Sequence, residues 1–187
     1  MITRAQQRQA QEQAARLMEA AGIRLSSGER EAIAVADFGL GRLETEGAQI
    51  LTFVDTDRIA AKVIALLPGQ TLPEHWHRPV GSDPGKEETL RVIAGPLYLY
   101  TPGPDTLREG RIPPGKEQVY SVRHERVMRL GDQVTLAPGD VHWFQAGPTG
   151  AVLYSFSTTA RDILDGFTDP DIVRQTVIAD EPRGETP

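Results

Sequence analysis

"LPEHWHRPVGSDPGKEETL", residues 72–90, sets two histidines one residue apart ahead of a paired glutamate, among Leu, Pro and Gly. In an extended chain residues i and i+2 face the same side. His75 and His77 therefore point together, and Glu74 and Trp76 point the other way. "KEETLRV" (86–92) alternates in the same manner. Leu90 and Val92 belong in an interior, which takes Glu88 and Lys86 inside with them and turns Glu87, Thr89 and Arg91 outward. Further on, "DVHWF" (140–144) supplies His142, with Phe144 on the same face. Three imidazoles and one carboxylate converging from three strands make a ready metal site. Each residue alone has a plainer reading, as a surface histidine or a solvated charge. Their shared spacing favours the metal.

Around this stretch the texture is that of a β protein. "QILTFV", "AAKVIALL", "ETLRVI", "PLYLYT", "EQVYSVRHERVMRL", "QVTLA" and "AVLYSFST" are short runs rich in Val, Ile, Leu, Thr and Tyr, cut by Gly/Pro turns such as "DPGK", "PPGK" and "APGD". Short strands with no helix between them predict an all-β sandwich or barrel. Ahead of them the spacing of Ala10, Ala14, Leu17, Met18 and Ala21 predicts a helix over 3–21, closed by Gly22. Ser26 and Glu29 stand in capping-box spacing at the start of a second short helix containing Ala32, Ile33 and Val35. The expected organisation is an N-terminal helical segment (1–46), a barrel (47–160) and a C-terminal extension (161–187). The extension adds a helical turn or two before a frayed "EPRGETP".

The chain of 187 residues contains no cysteine, which excludes disulfides, thiolate metal sites and a cysteine nucleophile. Any metal must be held by His, Asp and Glu, which points to harder or borderline divalent ions. A net charge of −6 argues against nucleic acid as partner. No apolar run approaches the roughly 18 residues of a membrane helix, and no leader pattern opens the chain, so the expectation is a cytoplasmic protein with no membrane partner.

Gly69, His75 and His77, and later Glu88 and Gly95, follow the first cupin motif in order, and Gly139 and His142 the G-x-x-H of the second. The chain resembles cupins over roughly residues 47–158, which implies a single jelly-roll-like β-barrel. It departs from the common pattern in the ten residues "RPVGSDPGKE" (78–87) between His77 and Glu88, a turn-rich insertion at the barrel mouth. That insertion, with "VADFGLG" (35–41), "VDTDR" (54–58), "AAKVIALLPGQTLPEHWH" (60–77), "PGKEETLRV" (84–92), "LYLYTPG" (97–103), "HWFQAG" (142–147) and "FTDP" (167–170), resembles the D-lyxose isomerase family from about residue 23 to residue 173. The resemblance implies a homodimer with His75, His77, Glu88 and His142 as ligands of a divalent metal. Manganese is usual in that family; Co, Ni, Fe and Zn are alternatives. The implied reaction interconverts D-lyxose with D-xylulose, and D-mannose with D-fructose. Trp76 and Arg78 replace the family's Arg and Pro at those positions, and Trp76 faces away from the ligands.

Two lysines are the catalytic candidates. Lys86 stands beside Glu88 by strand parity and, to act as a base, needs a pKa lowered by burial and a nearby cation. Lys62, in "AAKVIALL", is either buried with a purpose or on a solvated sheet face; the resemblance favours substrate contact. Glu87 faces away. His124 and Glu125 read as a surface strand pair, Tyr98 and Tyr100 as core packing, and Asp169 is left unassigned. The rival functions are a cupin Fe(II) oxygenase, a phosphosugar isomerase for which no phosphate cradle is identified, and a non-catalytic sugar-binding cupin.

Overall fold

The computed structural model describes residues 1–179. The expected fraying of "EPRGETP" falls outside the described residues. The chain opens with β1 (Ile2–Thr3), α1 (Arg4–Ala20), α2 (Ser27–Ala32) and β2 (Ala34–Ala36). The barrel strands follow as β3 (Ala48–Asp55), β4 (Ile59–Leu66), β5 (Thr71–Trp76), β6 (Glu88–Ala94), β7 (Leu97–Thr101), β8 (His124–Met128), β9 (Gln133–Leu136), β10 (His142–Ala146) and β11 (Ala151–Thr158). A single 3-10 turn, Asp162–Leu164, precedes β12 (Gly166–Phe167) and β13 (Ile178–Ala179).

Two antiparallel sheets face each other, in the orders β2-β3-β4-β11-β6-β9 and β12-β5-β10-β7-β8. Period-2 alternation sorts their side chains. Ile64 and Leu66 of β4, Leu90 and Val92 of β6, Leu97 and Leu99 of β7, Phe144 of β10 and Leu153 of β11 fill the space between the sheets. The opposite face of the first sheet, with Leu51, Val63, Ala65 and Val152, is capped by Ala14, Ala15 and Met18 of α1. The alanines on this stripe let the helix approach closely, and the buried apolar area supplies its stability. This is the mainly β, single cupin-type barrel with an N-terminal helical segment that the sequence predicts.

Both helices start at capping boxes, Thr3 with Gln6 and Ser26 with Glu29. The second helix is shorter than expected. It stops at Ala32, Ile33 turns extended, and Val35 lies in β2, where it pairs with Gln49 of β3. The β-branched "IAV" run is better satisfied at a sheet edge than in another helical turn. Residues from the N-terminal segment thus extend the barrel sheet. The tail contributes more strand than helix: its one 3-10 turn leads into β12, which pairs with β5, while β13 pairs in parallel with β1.

"EQVYSVRHERVMRL" is likewise only partly strand. His124–Met128 pairs with β7, whereas Tyr120 belongs to a long loop folded over the outer face of the second sheet. There Tyr100 stacks on Trp143 with centroids 3.7 Å apart, and Tyr120 meets the same indole edge-on. Tyr98 and Tyr100 are buried in this cluster, as expected of packing residues.

Candidate metal centre

His75 is in β5 and His142 in β10, directly paired across the ladder, and His77 follows β5 by one residue. All three rings are buried, and one nitrogen from each lies within 4.8 Å of the others. The second nitrogens are tied outward. Nδ1 of His75 is 2.8 Å from the Pro73 carbonyl and Nδ1 of His142 is 2.8 Å from the Asp140 carbonyl. A carbonyl can only accept, so both rings carry their proton on Nδ1 and turn the bare Nε2 lone pair inward. Nε2 of His142 is buried with no hydrogen-bond partner. An orphaned acceptor beside two more imidazoles is the environment a divalent cation satisfies, and outward Nδ1 bonds are what hold ligating histidines in place.

His77 differs from its neighbours. Its Nδ1 is 2.8 Å from Asp165 Oδ1 and its Nε2 is 3.1 Å from Glu88 Oε2. Burial works against its charge, but the two carboxylates prevail and raise its pKa above the ordinary histidine value. His75 is pushed well below that value by burial and by its histidine neighbours, and burial takes His142 down to about 4. The triad therefore sets two rings that burial keeps neutral beside one whose two carboxylate partners favour its protonated form.

Glu88 comes from the other sheet, at the start of β6, and stands beside the triad rather than within it, joined through His77. Its Oε1 accepts from Ser155 of β11 and from Lys86 Nζ at 3.2 Å. Burial alone would raise its pKa, yet Lys86, His77 and Ser155 hold it well below the usual carboxylate range. Lys86 is buried, as strand parity predicts, and exposed Glu87 faces away. The lysine is not lowered, however. Although burial favours its neutral form, Glu88 and Asp162 raise its pKa and keep it a cation. Lys62 is buried on the inner face of β4 and ion-paired to Asp162, which removes the solvated-face alternative.

Asp162 is the residue that sequence reasoning missed. From the 3-10 turn it reaches Lys62 and, at 3.3 Å, Lys86, with Arg174 at 3.7 Å. Burial opposes its charge, but the lysines and Arg174 bring its pKa down to about 2. Asp165 was missed as well. A cavity of about 40 Å³ between these groups is lined on its other side by Phe38, Ile50, Ile64, Leu72, Phe144 and Phe167.

Three residues weighed from the sequence lie elsewhere. Glu125 accepts from Tyr100 Oη at 2.7 Å and from the Arg108, Glu109 and Gly110 amides, and His124 meets Thr106. Asp169 closes a turn through the Asp171 amide and pairs with Lys116.

No family model matches the chain. Curated relatives are nevertheless similar over nearly its whole length. It is 49% identical to the D-lyxose ketol-isomerase of Cohnella laeviribosi over 172 residues, 91% of this chain and 94% of that protein. It is 45% identical to the D-lyxose/D-mannose isomerase of Thermosediminibacter oceani over 96% of this chain and all of that protein. The chain belongs to the D-lyxose isomerase family. Among solved structures, the L-ribose isomerase of Acinetobacter sp. DL28 in complex with L-ribose superposes with a TM-score of 0.78 at 17% identity, covering 95% of this chain and 98% of that one. The Cellulomonas parahominis L-ribose isomerase with no ligand gives 0.76 at 18%, with the same coverage of both chains. These two likenesses establish a shared fold.

Membership in a D-lyxose isomerase family makes the chain a sugar aldose–ketose isomerase and disfavours the oxygenase and non-catalytic readings. No helix among the described residues is long and apolar enough to cross a membrane.

Proposed function

We propose that this D-lyxose isomerase family member interconverts D-lyxose and D-xylulose, and D-mannose and D-fructose, with a divalent metal at the histidine triad. The observation that carries the reading is the orphaned Nε2 of His142 at the centre of that triad, in a chain 45–49% identical to D-lyxose isomerases. His75, His77, Glu88 and His142 would hold the ion. Their nitrogen and carboxylate donors suit Mn, with Co, Ni, Fe or Zn as alternatives. When bound, the ion supplies Lewis-acid polarisation of sugar oxygens and compensates developing negative charge.

The chain's own groups position the sugar and move its protons. Lys86 and Lys62 line the cavity and act as the catalytic pair. Held as a cation, Lys86 is suited to donate toward the carbonyl oxygen of the open-chain sugar. It becomes a base only when Glu88 is drawn from it by another cation. Asp162 is the further candidate for the acceptor, within hydrogen-bond reach of both ammonium groups. A carboxylate with a pKa near 2 is a weak base, so the lysines must turn toward the sugar before it takes a proton. The apolar wall from Phe38 to Phe167 keeps water from the reacting carbons. The same reading makes the protein a cytoplasmic homodimer with a small-molecule sugar as substrate, its dimeric state measurable by light scattering.

The test is to strip the protein with a chelator, restore single metals, and assay pentoses and hexoses for ketose formation. Mn-loaded protein should convert D-lyxose, and Glu88→Ala or His142→Ala should lose the metal. Conversion of neither D-lyxose nor D-mannose would overturn the reading.

A further inference from the structure

Apart from Lys86, the inserted loop 78–87 has no part in the chemistry above, yet its contacts point in one direction. It is folded on itself: the Val80 amide donates to the Asp83 carbonyl at 2.9 Å and the Asp83 amide returns to the Val80 carbonyl at 3.1 Å. Asp83 Oδ1 then accepts from the Gly85 amide at 2.9 Å, which fixes the carboxylate. Its free Oδ2 reaches Arg161 Nη1 at 2.9 Å. Arg161 immediately precedes the 3-10 turn that carries Asp162 and leads on to Asp165. On the loop's other flank, Arg78 lies over the Trp76 ring at 5.4 Å, and Trp76 pairs with Gly166 of β12. A Cβ at Gly166 would come within 2.2 Å of that indole, so Trp76 and Arg78 pack directly on the strap's backbone.

The strap, residues 159–167, closes the barrel mouth. Inside it lies the cavity of about 40 Å³, far below the roughly 300–1,000 Å³ of small-molecule sites. Outside lies a cavity of about 610 Å³. Lys62, Asp162, Arg174 and Ile50 line both, so they form the partition between them. A sugar cannot reach the triad past this partition unless the strap moves. Two ladder residues to β5 hold the strap's backbone, and Asp162 and Asp165 tie it inward to Lys62, Lys86 and His77, while Ile163 and Leu164 are exposed. A short segment with so few ladder bonds can open locally without global unfolding.

We propose that the 78–87 loop is a clasp that holds the 159–167 strap shut over the metal centre, with Asp83–Arg161 as its releasable contact, and that exchange of ligands with the centre runs through strap opening. The ligand-exchange part rests on the reading of the triad as a metal and sugar site; the clasp itself does not. Both partners are about one-third exposed, so their pair stabilises the closed strap by about 0.2–1 kcal/mol, which corresponds to a roughly 1.4- to 5-fold change in opening.

Asp83→Asn and Arg161→Gln are the test variants, with hydrogen exchange followed by mass spectrometry on metal-free protein. Each should speed exchange of the strap amides, Leu164 and Asp165 among them, by about 1.4- to 5-fold, and leave β4 and β11 unchanged. Release of Mn from loaded protein into excess chelator should accelerate by the same factor. The reversed pair Asp83→Arg with Arg161→Asp should restore both rates. Strap exchange equal to the parent, or acceleration spread evenly over the barrel, would overturn the clasp. A loosened strap with unchanged Mn release would overturn the gate. Isomerase assays of the parent protein test the function separately, so a failure there is distinguishable from a failure of the clasp.

Discussion

Asp162→Asn, studied in metal-free protein by urea denaturation at pH 7, tests whether the charges at the barrel mouth balance one another as the geometry indicates. Three cations (Lys62, Lys86, Arg174) meet three carboxylates (Glu88, Asp162, Asp165) around one small cavity. Asp162 is the carboxylate ion-paired with Lys62 among the described residues, and the Lys62 side chain is only 9% exposed. Neutralising Asp162 therefore strands a buried ammonium. Breaking a fully buried pair this way costs about 3–5 kcal/mol. Asp162 keeps 22% of its side-chain surface, so the expected cost is lower, about 2–4 kcal/mol. That corresponds to a fall of about 4–16 °C in Tm for a domain of this size. Lys62→Met should cost less, about 1 kcal/mol, because Asp162 retains Lys86 and Arg174. The double variant should also lose only about 1 kcal/mol, since no charge is then stranded on β4. The cycle thus predicts a coupling of about 2–4 kcal/mol. Single effects that add to within about 0.5 kcal/mol would refute the reasoning, as would an Asp162→Asn protein as stable as its parent.

The stability of the metal-free protein should fall as pH drops from about 6.5 toward 4. His75 and His142 are depressed below 6.5, so the unfolded chain binds protons there that the folded one refuses, while raised His77 contributes in the opposite sense. With two such sites the slope approaches about 2.7 kcal/mol per pH unit near pH 5; urea midpoints that rise on acidification over this range would contradict the assignment. Leu153→Ala, at a fully buried position of the inter-sheet core, should cost about 2–5 kcal/mol in the same assay while leaving the number of metal ions bound per chain unchanged.

What could be read in the sequence follows from what has a period. Two-residue alternation places His75 with His77 and Glu88 with Lys86, and puts Lys62 on the inner face with Ile64 and Leu66, because a pleated strand leaves no other choice. The same rule links Ser155 to Leu153 in "AVLYSFST", a signal present but unused. Asp162 and Asp165 carry no such signal. They sit in a 3-10 turn and the short link after it, about 75 residues or more from the lysine and histidine they contact, and "RDILDGF" reads equally well as a solvated tail. Val35 and Tyr120 failed for another reason. Each lies in a run whose local propensity suits helix or strand, and tertiary packing, against Gln49 in one case and Trp143 in the other, settled the outcome.

The lysine expectation turned on a subtler point. Burial and a nearby cation lower a lysine only when no carboxylate arrives with them, and here two do. Glu88 comes from β6 and Asp162 from the 3-10 turn of the strap, yet both converge on Lys86 because the mouth is where the sheets and the strap meet. In the metal-free protein these cross-pairings keep Glu88 beside the triad, while the carbonyls of Pro73 and Asp140 fix two imidazoles with Nε2 inward. The donors are therefore preorganised. A divalent ion entering the triad would compete with any proton shared between His77 and Glu88, and the net positive charge it adds would fall accordingly. That partial exchange would let a buried site admit a divalent cation without stranding charge.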